Sequence, residues 1–297
     1  MQSELRGVYV PLITPFASGG SIAADAIVAL VHRYADAGVA GIVTLGTTGE
    51  PATLSPDEKQ RVIDVTAAAC RERQLELIVG AGSNSTAATI GAIEAVAATP
   101  GLRAVLIVAP YYVRPSEAGI VAHFRAIAEA TSVPVVVYNI PARTGRNMSA
   151  STILEVAALP NVIGLKQAVG ALDEDTLRVL AEAPASLSVL SGDDAYILPT
   201  VLMGGQGAIA ASAHLCTDRF VAMVECGLSG KIDDARQHAE ALLPVVAAGF
   251  AEPNPAVFKG VLHALGAIPT PDVRLPLVPA SAASVQRACD AVIAAGG

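Results

Sequence analysis

The sequence predicts an α/β chain: a (β/α)8 barrel over residues 1–215 followed by a helical domain over residues 216–297. Three observations carry that prediction. Eight short, β-branched apolar runs recur along the chain, most are followed by an Ala-rich stretch of helical periodicity, and strand signals stop after Ala211. At 297 residues the chain exceeds the usual single-domain length, but a barrel of about 250 residues with an appended segment accommodates it.

In chain order the runs are Val8–Thr14, Gly41–Gly46, Leu77–Gly82, Val105–Ala109, Val133–Tyr138, Val162–Lys166, Leu187–Ser191 and Gly207–Ala211. They are almost uniformly apolar, as expected of parallel strands covered by helices on one face and packed inside on the other. A doubly wound open sheet shares this pattern and is the alternative architecture. The intervening helical stretches include Asp57–Arg73, Ser116–Ala130 and Asp173–Ala183. Beyond Ala211, Asp218–Gly227, Ile232–Ala248 and Ala256–Leu265 read as helices, divided by Ser229-Gly230 and by the Glu252–Pro255 turn. No low-complexity linker separates the two parts.

The composition is 53% hydrophobic and 15% charged, which excludes disorder and implies a large core. A net charge of −8 and 4% aromatic content offer neither a basic stripe nor stacking platforms, so small molecules are expected as ligands and nucleic acid is not. Cys70, Cys216, Cys226 and Cys289 lack metal or redox spacing and are expected as reduced thiols. Met1–Val10 lacks the pattern of a secretory signal, and no apolar run reaches membrane-spanning length, so a cytoplasmic protein without a membrane span is expected. His32, His123, His238 and His263 fall in helical stretches and only His214 lies near a strand end, which does not make a divalent metal site. Neither a metal nor a cofactor is expected.

In a (β/α)8 barrel the chemistry sits where the strands end. The polar residues closing the apolar runs are Thr47 and Thr48, Tyr111 and Tyr112, Tyr138 and Asn139, and Lys166. Lys166 is one of four lysines and alone ends a strand-like run; Lys59, Lys231 and Lys259 lie in helical or turn segments. A lysine desolvated at the top of an apolar barrel has its ammonium form disfavoured and becomes a nucleophile suited to imine formation with a ketone. A structural ion pair at the rim is the alternative. Hydroxyl and phenol groups on Thr47, Tyr112 and Tyr138 can relay protons without adding a competing charge. Each alone is also explained as a turn or core residue, and Gly46–Gly49 alone could be a weak phosphate-binding turn.

Taken together, Gly46-Thr47-Thr48-Gly49-Glu50, Tyr138-Asn139-Ile140-Pro141 and Gly164-Leu165-Lys166 resemble the three motifs of the dihydrodipicolinate synthase and N-acetylneuraminate lyase superfamily, and the resemblance spans essentially the whole chain. It implies a Schiff-base pyruvate lyase. By that resemblance Lys166 forms the imine; Tyr138, Thr47 and Tyr112 form a proton relay; Thr48 holds the pyruvate carboxylate; and Gly207 and Ile209 place main chain against pyruvate. It further implies that Tyr112 crosses a tight dimer interface and that two such dimers form a homotetramer. Arg143, in Tyr-Asn-Ile-Pro-Ala-Arg-Thr-Gly, matches the synthase branch, where an arginine binds the carboxylate of aspartate semialdehyde. A pyruvate aldolase or dehydratase acting on a sugar acid or another aldehyde is the alternative, and a solvated loop charge is the alternative for Arg143.

The chain departs from the family pattern at several positions. Gln167 follows the lysine where an acidic residue is frequent, and Pro51 replaces a small polar residue. Pro56, Lys59 and Ala88 stand where lysine-inhibited synthases carry histidines and a glutamate, while Asn84 and Tyr111 remain, so strong feedback by L-lysine is not expected.

Overall fold

Eight parallel strands close a barrel in sequence order: β1 Gly7–Pro11, β2 Gly41–Thr44, β3 Glu76–Gly80, β4 Leu102–Val108, β5 Val135–Asn139, β6 Val162–Gln167, β7 Ser188–Ser191 and β8 Gly207–Ile209. The computed structural model describes residues 4–297. The beginning of the Met1–Val10 segment therefore lies outside the described residues. The helices are α1 Ala24–Asp36, α2 Pro56–Glu72, α3 Thr86–Val96, α4 Glu117–Ala130, α5 Pro141–Thr144, α6 Ala150–Ala157, α7 Glu174–Glu182, α8 Ile197–Leu202, α9 Thr217–Leu228, α10 Ile232–Gly249, α11 Ala256–Ala264 and α12 Ala282–Ala294. The expected (β/α)8 barrel with C-terminal helices is the fold found, and the open-sheet alternative is excluded by the closed strand order.

Local chemistry explains where the helices begin. Ser55, Ser85, Ser116, Ser149, Asp173 and Ser281 each accept a hydrogen bond from a backbone N–H of the first turn of α2, α3, α4, α6, α7 and α12. At α2 the cap is reciprocal, because Glu58 also accepts from the Ser55 N–H. The barrel strands are buried on both faces, which is why they read as continuous apolar runs. Where a strand lies tightest against its neighbour, only glycine fits. A Cβ added at Gly207 in β8 would lie 2.0 Å from the carbonyl oxygen of Gly7.

By backbone contact the chain forms two compact units. One comprises residues up to Gly7 together with Ile78–Ile209; the other comprises Val8–Leu77 and Ala210–Gly297. In the first, β4, β5, β6 and β7 pair in parallel, and the β5–β6 register sets Tyr138 opposite Lys166 and Asn139 opposite Gln167. In the second, β1 and β2 pair with Tyr9 opposite Gly41. A buried chain of polar contacts also ties this unit: Tyr34 donates its hydroxyl to His214 Nδ1 at 2.6 Å, and His214 Nε2 donates to the Pro11 carbonyl at 2.9 Å. Among the described residues no helix is long and apolar enough to cross a membrane.

Candidate active site

In the unit containing Ile78–Ile209, Lys166 is the penultimate residue of β6 and is buried, 7% exposed, with Tyr138, the penultimate residue of β5, beside it at 5% exposed. The lysine Nζ stands 4.3 Å from the centroid of the Tyr138 ring, a cation–π approach that the strand register dictates. Among the described residues Lys166 makes no salt bridge, and the carboxylate whose charge interacts with it is that of Asp193, after β7. Gly192, just after β7, makes room for the lysine chain, since a Cβ there would lie 2.9 Å from Lys166 Cγ.

Strand alternation sends the next pair to the opposite face. Asn139 Nδ2 donates to Gln167 Oε1 at 3.1 Å, and Gln167 Nε2 donates to Thr176 Oγ1 of α7 at 3.0 Å. Gln167 therefore fastens the lysine strand to its covering helix.

Sequence reasoning missed Asp193. It follows β7, accepts the Gly170 N–H at 2.5 Å through Oδ2, and is close enough to Lys166 for the two charges to interact. Burial pushes its carboxyl above the ordinary carboxylate value, while the Gly170 N–H and the Lys166 ammonium pull it back. Ser191-Gly192-Asp193-Asp194 ends an apolar run just as the other rim residues do, and the same rule applied to the seventh run would have singled it out.

Tyr112 lies in the loop after β4 with φ +68 and is 87% exposed, flanked by exposed Tyr111 and Val113. Arg114 Nε donates to the Gly145 carbonyl at 2.8 Å, binding this loop to the end of α5. Arg143 occupies the last turn of α5 and is exposed; Gly145, with φ +71, ends that short helix. Gly207 and Ile209 are buried in β8. Lys166 and Tyr138 are thus brought into contact, whereas Tyr112 and Arg143 present their side chains at the surface.

In the other unit, Thr47 and Thr48 form a short 3-10 turn, Thr47–Gly49, after β2. Thr47 is half-buried and Thr48 is buried. Two residues in left-handed conformation, Leu45 and Glu50, each with φ +54, flank the turn. Thr48 Oγ1 accepts from Asn254 Nδ2 at 3.0 Å, and the Gly49 carbonyl accepts from Thr14 Oγ1 at 2.7 Å. Lys259, set aside at the level of sequence as one helical lysine among others, is fully buried. Its Nζ donates to Glu50 Oε1 at 2.5 Å and to the Asp272 carbonyl at 2.8 Å. Burial draws its pKa below the ordinary lysine value, and the Glu50 carboxylate opposes that shift.

The model for the dihydrodipicolinate synthetase family matches residues 4–295. A 4-hydroxy-tetrahydrodipicolinate synthase of Neisseria meningitidis serogroup B is 41% identical over 275 residues, covering 93% of each chain. Among solved structures, the dihydrodipicolinate synthase of Thermotoga maritima superposes with a TM-score of 0.94 at 32% identity, covering 99% of both chains. The chloride-inhibited dihydrodipicolinate synthase of Acinetobacter baumannii, complexed with pyruvate, gives 0.93 at 31% identity, covering 98% of this chain and 99% of that one.

Proposed function

The chain belongs to the dihydrodipicolinate synthetase family, and on that premise we infer that it is a pyruvate-dependent Schiff-base lyase that condenses pyruvate with L-aspartate 4-semialdehyde to give 4-hydroxy-tetrahydrodipicolinate, a step of lysine biosynthesis. The observation that carries the catalytic assignment is the buried Lys166 side chain, whose Nζ stands 4.3 Å from the centroid of the Tyr138 ring.

Lys166 Nζ adds to C2 of pyruvate; the carbinolamine loses its hydroxyl as water and an imine results. Loss of a C3 proton gives an enamine, whose C3 attacks the aldehyde carbon of the second substrate. Attack of that substrate's amine on C2 then closes the ring and releases the lysine. One water is lost overall, and every step moves a proton. Tyr138, Thr47 and Tyr112 are assigned to that relay because a phenol or hydroxyl can both donate and accept.

Thr48 holds the pyruvate carboxylate with neighbouring amides, and the main chain at Gly207 and Ile209 lies against pyruvate. Arg143 takes the carboxylate of the semialdehyde; its planar fork suits bidentate pairing and its exposure leaves it available to an incoming anion. The exposed Tyr111-Tyr112-Val113 loop supports a homotetramer built from tight dimers in which Tyr112 is covered by a partner chain. A barrel of residues 1–215 with a helical domain of residues 216–297, and a cytoplasmic location, complete the proposal.

A panel pairing pyruvate with different aldehydes tests the substrate assignment. Aspartate semialdehyde should be turned over fastest, and Arg143→Ala should lower kcat/KM for it by roughly 10²-fold, the loss expected for a charge-assisted pair. Equal turnover of a neutral sugar aldehyde, or an Arg143→Ala variant at wild-type kcat/KM, would contradict it.

A further inference from the structure

The turn that carries Thr47 and Thr48 is held from outside itself. Its backbone enters and leaves through left-handed residues that are not glycine, Leu45 and Glu50, a conformation that branched and long side chains adopt only when the surroundings impose it. The surroundings that impose it come from the C-terminal part of the same unit. Glu50 Oε1 accepts from Lys259 Nζ at 2.5 Å and Glu50 Oε2 accepts from the Arg274 backbone N–H at 2.9 Å. Lys259 Nζ also stands 4.1 Å from the centroid of the Phe16 ring, so the ammonium is enclosed by a carboxylate, a carbonyl and an aromatic face. Asn254 Nδ2 then reaches the Thr48 hydroxyl itself.

A buried ion pair is not by itself a source of stability, because desolvating two charges opposes their attraction. What this pair does fix is geometry. With the carboxylate of Glu50 pinned on both oxygens, the φ of Glu50 and the direction of the preceding Thr47–Gly49 turn are set, and Asn254 orients the Thr48 hydroxyl. We propose that Lys259 and Asn254 are positioning residues for the Thr47-Thr48 turn, acting through Glu50 and through Thr48, so that α11 and the residues just before it determine how tightly pyruvate is held. This rests on the assignment of Thr48 to the pyruvate carboxylate.

The test compares Asn254→Ala, Lys259→Arg and the double variant Glu50→Gln/Lys259→Met, which removes both buried charges together and avoids stranding one. For each, thermal midpoint, pyruvate KM and kcat are measured, together with the pyruvate concentration that half-saturates borohydride trapping on Lys166. The double variant and Asn254→Ala should raise pyruvate KM and the trapping half-saturation by about tenfold, the effect of misplacing one hydrogen bond to a carboxylate. Their kcat at saturation should fall less than threefold, and Lys259→Arg should recover most of the loss. A double variant or Asn254→Ala that melts near wild type with unchanged half-saturation would overturn the proposal, showing that these contacts hold the fold alone. If the wild type itself traps no pyruvate, the assignment of the site fails first and the proposal fails with it.

Discussion

Lowering the pH from 7 to 5 should destabilise this protein through two buried histidines. His214 is fully buried and His123 is 5% exposed, and burial lowers each to a pKa of about 4. For His214 the Pro11 carbonyl opposes the shift and Arg33 adds to it. The unfolded chain protonates these rings near 6.5, so between about 6.5 and 4 the unfolded state binds protons that the folded state refuses. Stability contributed by the neutral rings is complete above pH 6.5, falls as the pH drops, and stops falling near 4. At pH 5 each ring costs about 2 kcal/mol relative to pH 7, or about 4 kcal/mol for the pair. With roughly 2–4 °C per kcal/mol for a chain of this size, the thermal midpoint should drop by about 10 °C. Glu58, held at about 2 chiefly by Arg274, loses its contribution as the pH falls from about 4.5 to about 2 and stays outside this window. Differential scanning calorimetry in buffers of matched ionic strength measures the drop, and His123→Gln should remove about half of it. A midpoint unchanged between pH 7 and 5, or a drop that His123→Gln leaves intact, would refute the reasoning.

Tyr138→Phe keeps the ring against Lys166 but removes the proton carrier; kcat should fall by 10²–10⁴-fold, roughly, while borohydride trapping of pyruvate persists more slowly, and a kcat within threefold of wild type would remove Tyr138 from the relay. Gly207→Ala places a Cβ against the Gly7 carbonyl and should yield little folded protein, judged by far-UV circular dichroism and solubility. Added L-lysine should leave activity essentially unchanged at sub-millimolar concentration, because Ala88, exposed on α3, offers no carboxylate to an ammonium; potent inhibition in the steady-state assay would contradict this.

The barrel was legible because two-sided burial writes itself into the chain as apolar runs, and the capping serines mark where the helices start. Strand ends were less so. The first run was read through Thr14, but β1 stops at Pro11, and β4 begins at Leu102, three residues before the apolar run that revealed it. α12 escaped notice because only Ser284, Ala288 and Val292 are buried on it, too narrow a face to stand out in an Ala-rich tail. That Lys166 and Tyr138 lie near one another was foreseeable in part, since both close apolar runs that are consecutive along the chain. Lys259 was not. Its carboxylate partner lies 209 residues away, and a lysine inside a helix carries no local mark of burial. Asn254 reaches Thr48 across 206 residues for the same reason.

The most direct measurement is the intact mass of the protein after borohydride reduction in the presence of pyruvate, followed by peptide mapping. One reduced pyruvate adduct per chain should appear, located on Lys166, and should vanish in Lys166→Met while Lys259 remains unmodified. An unmodified wild-type mass, or an adduct on another lysine, would contradict the assignment of Lys166 as the imine-forming residue.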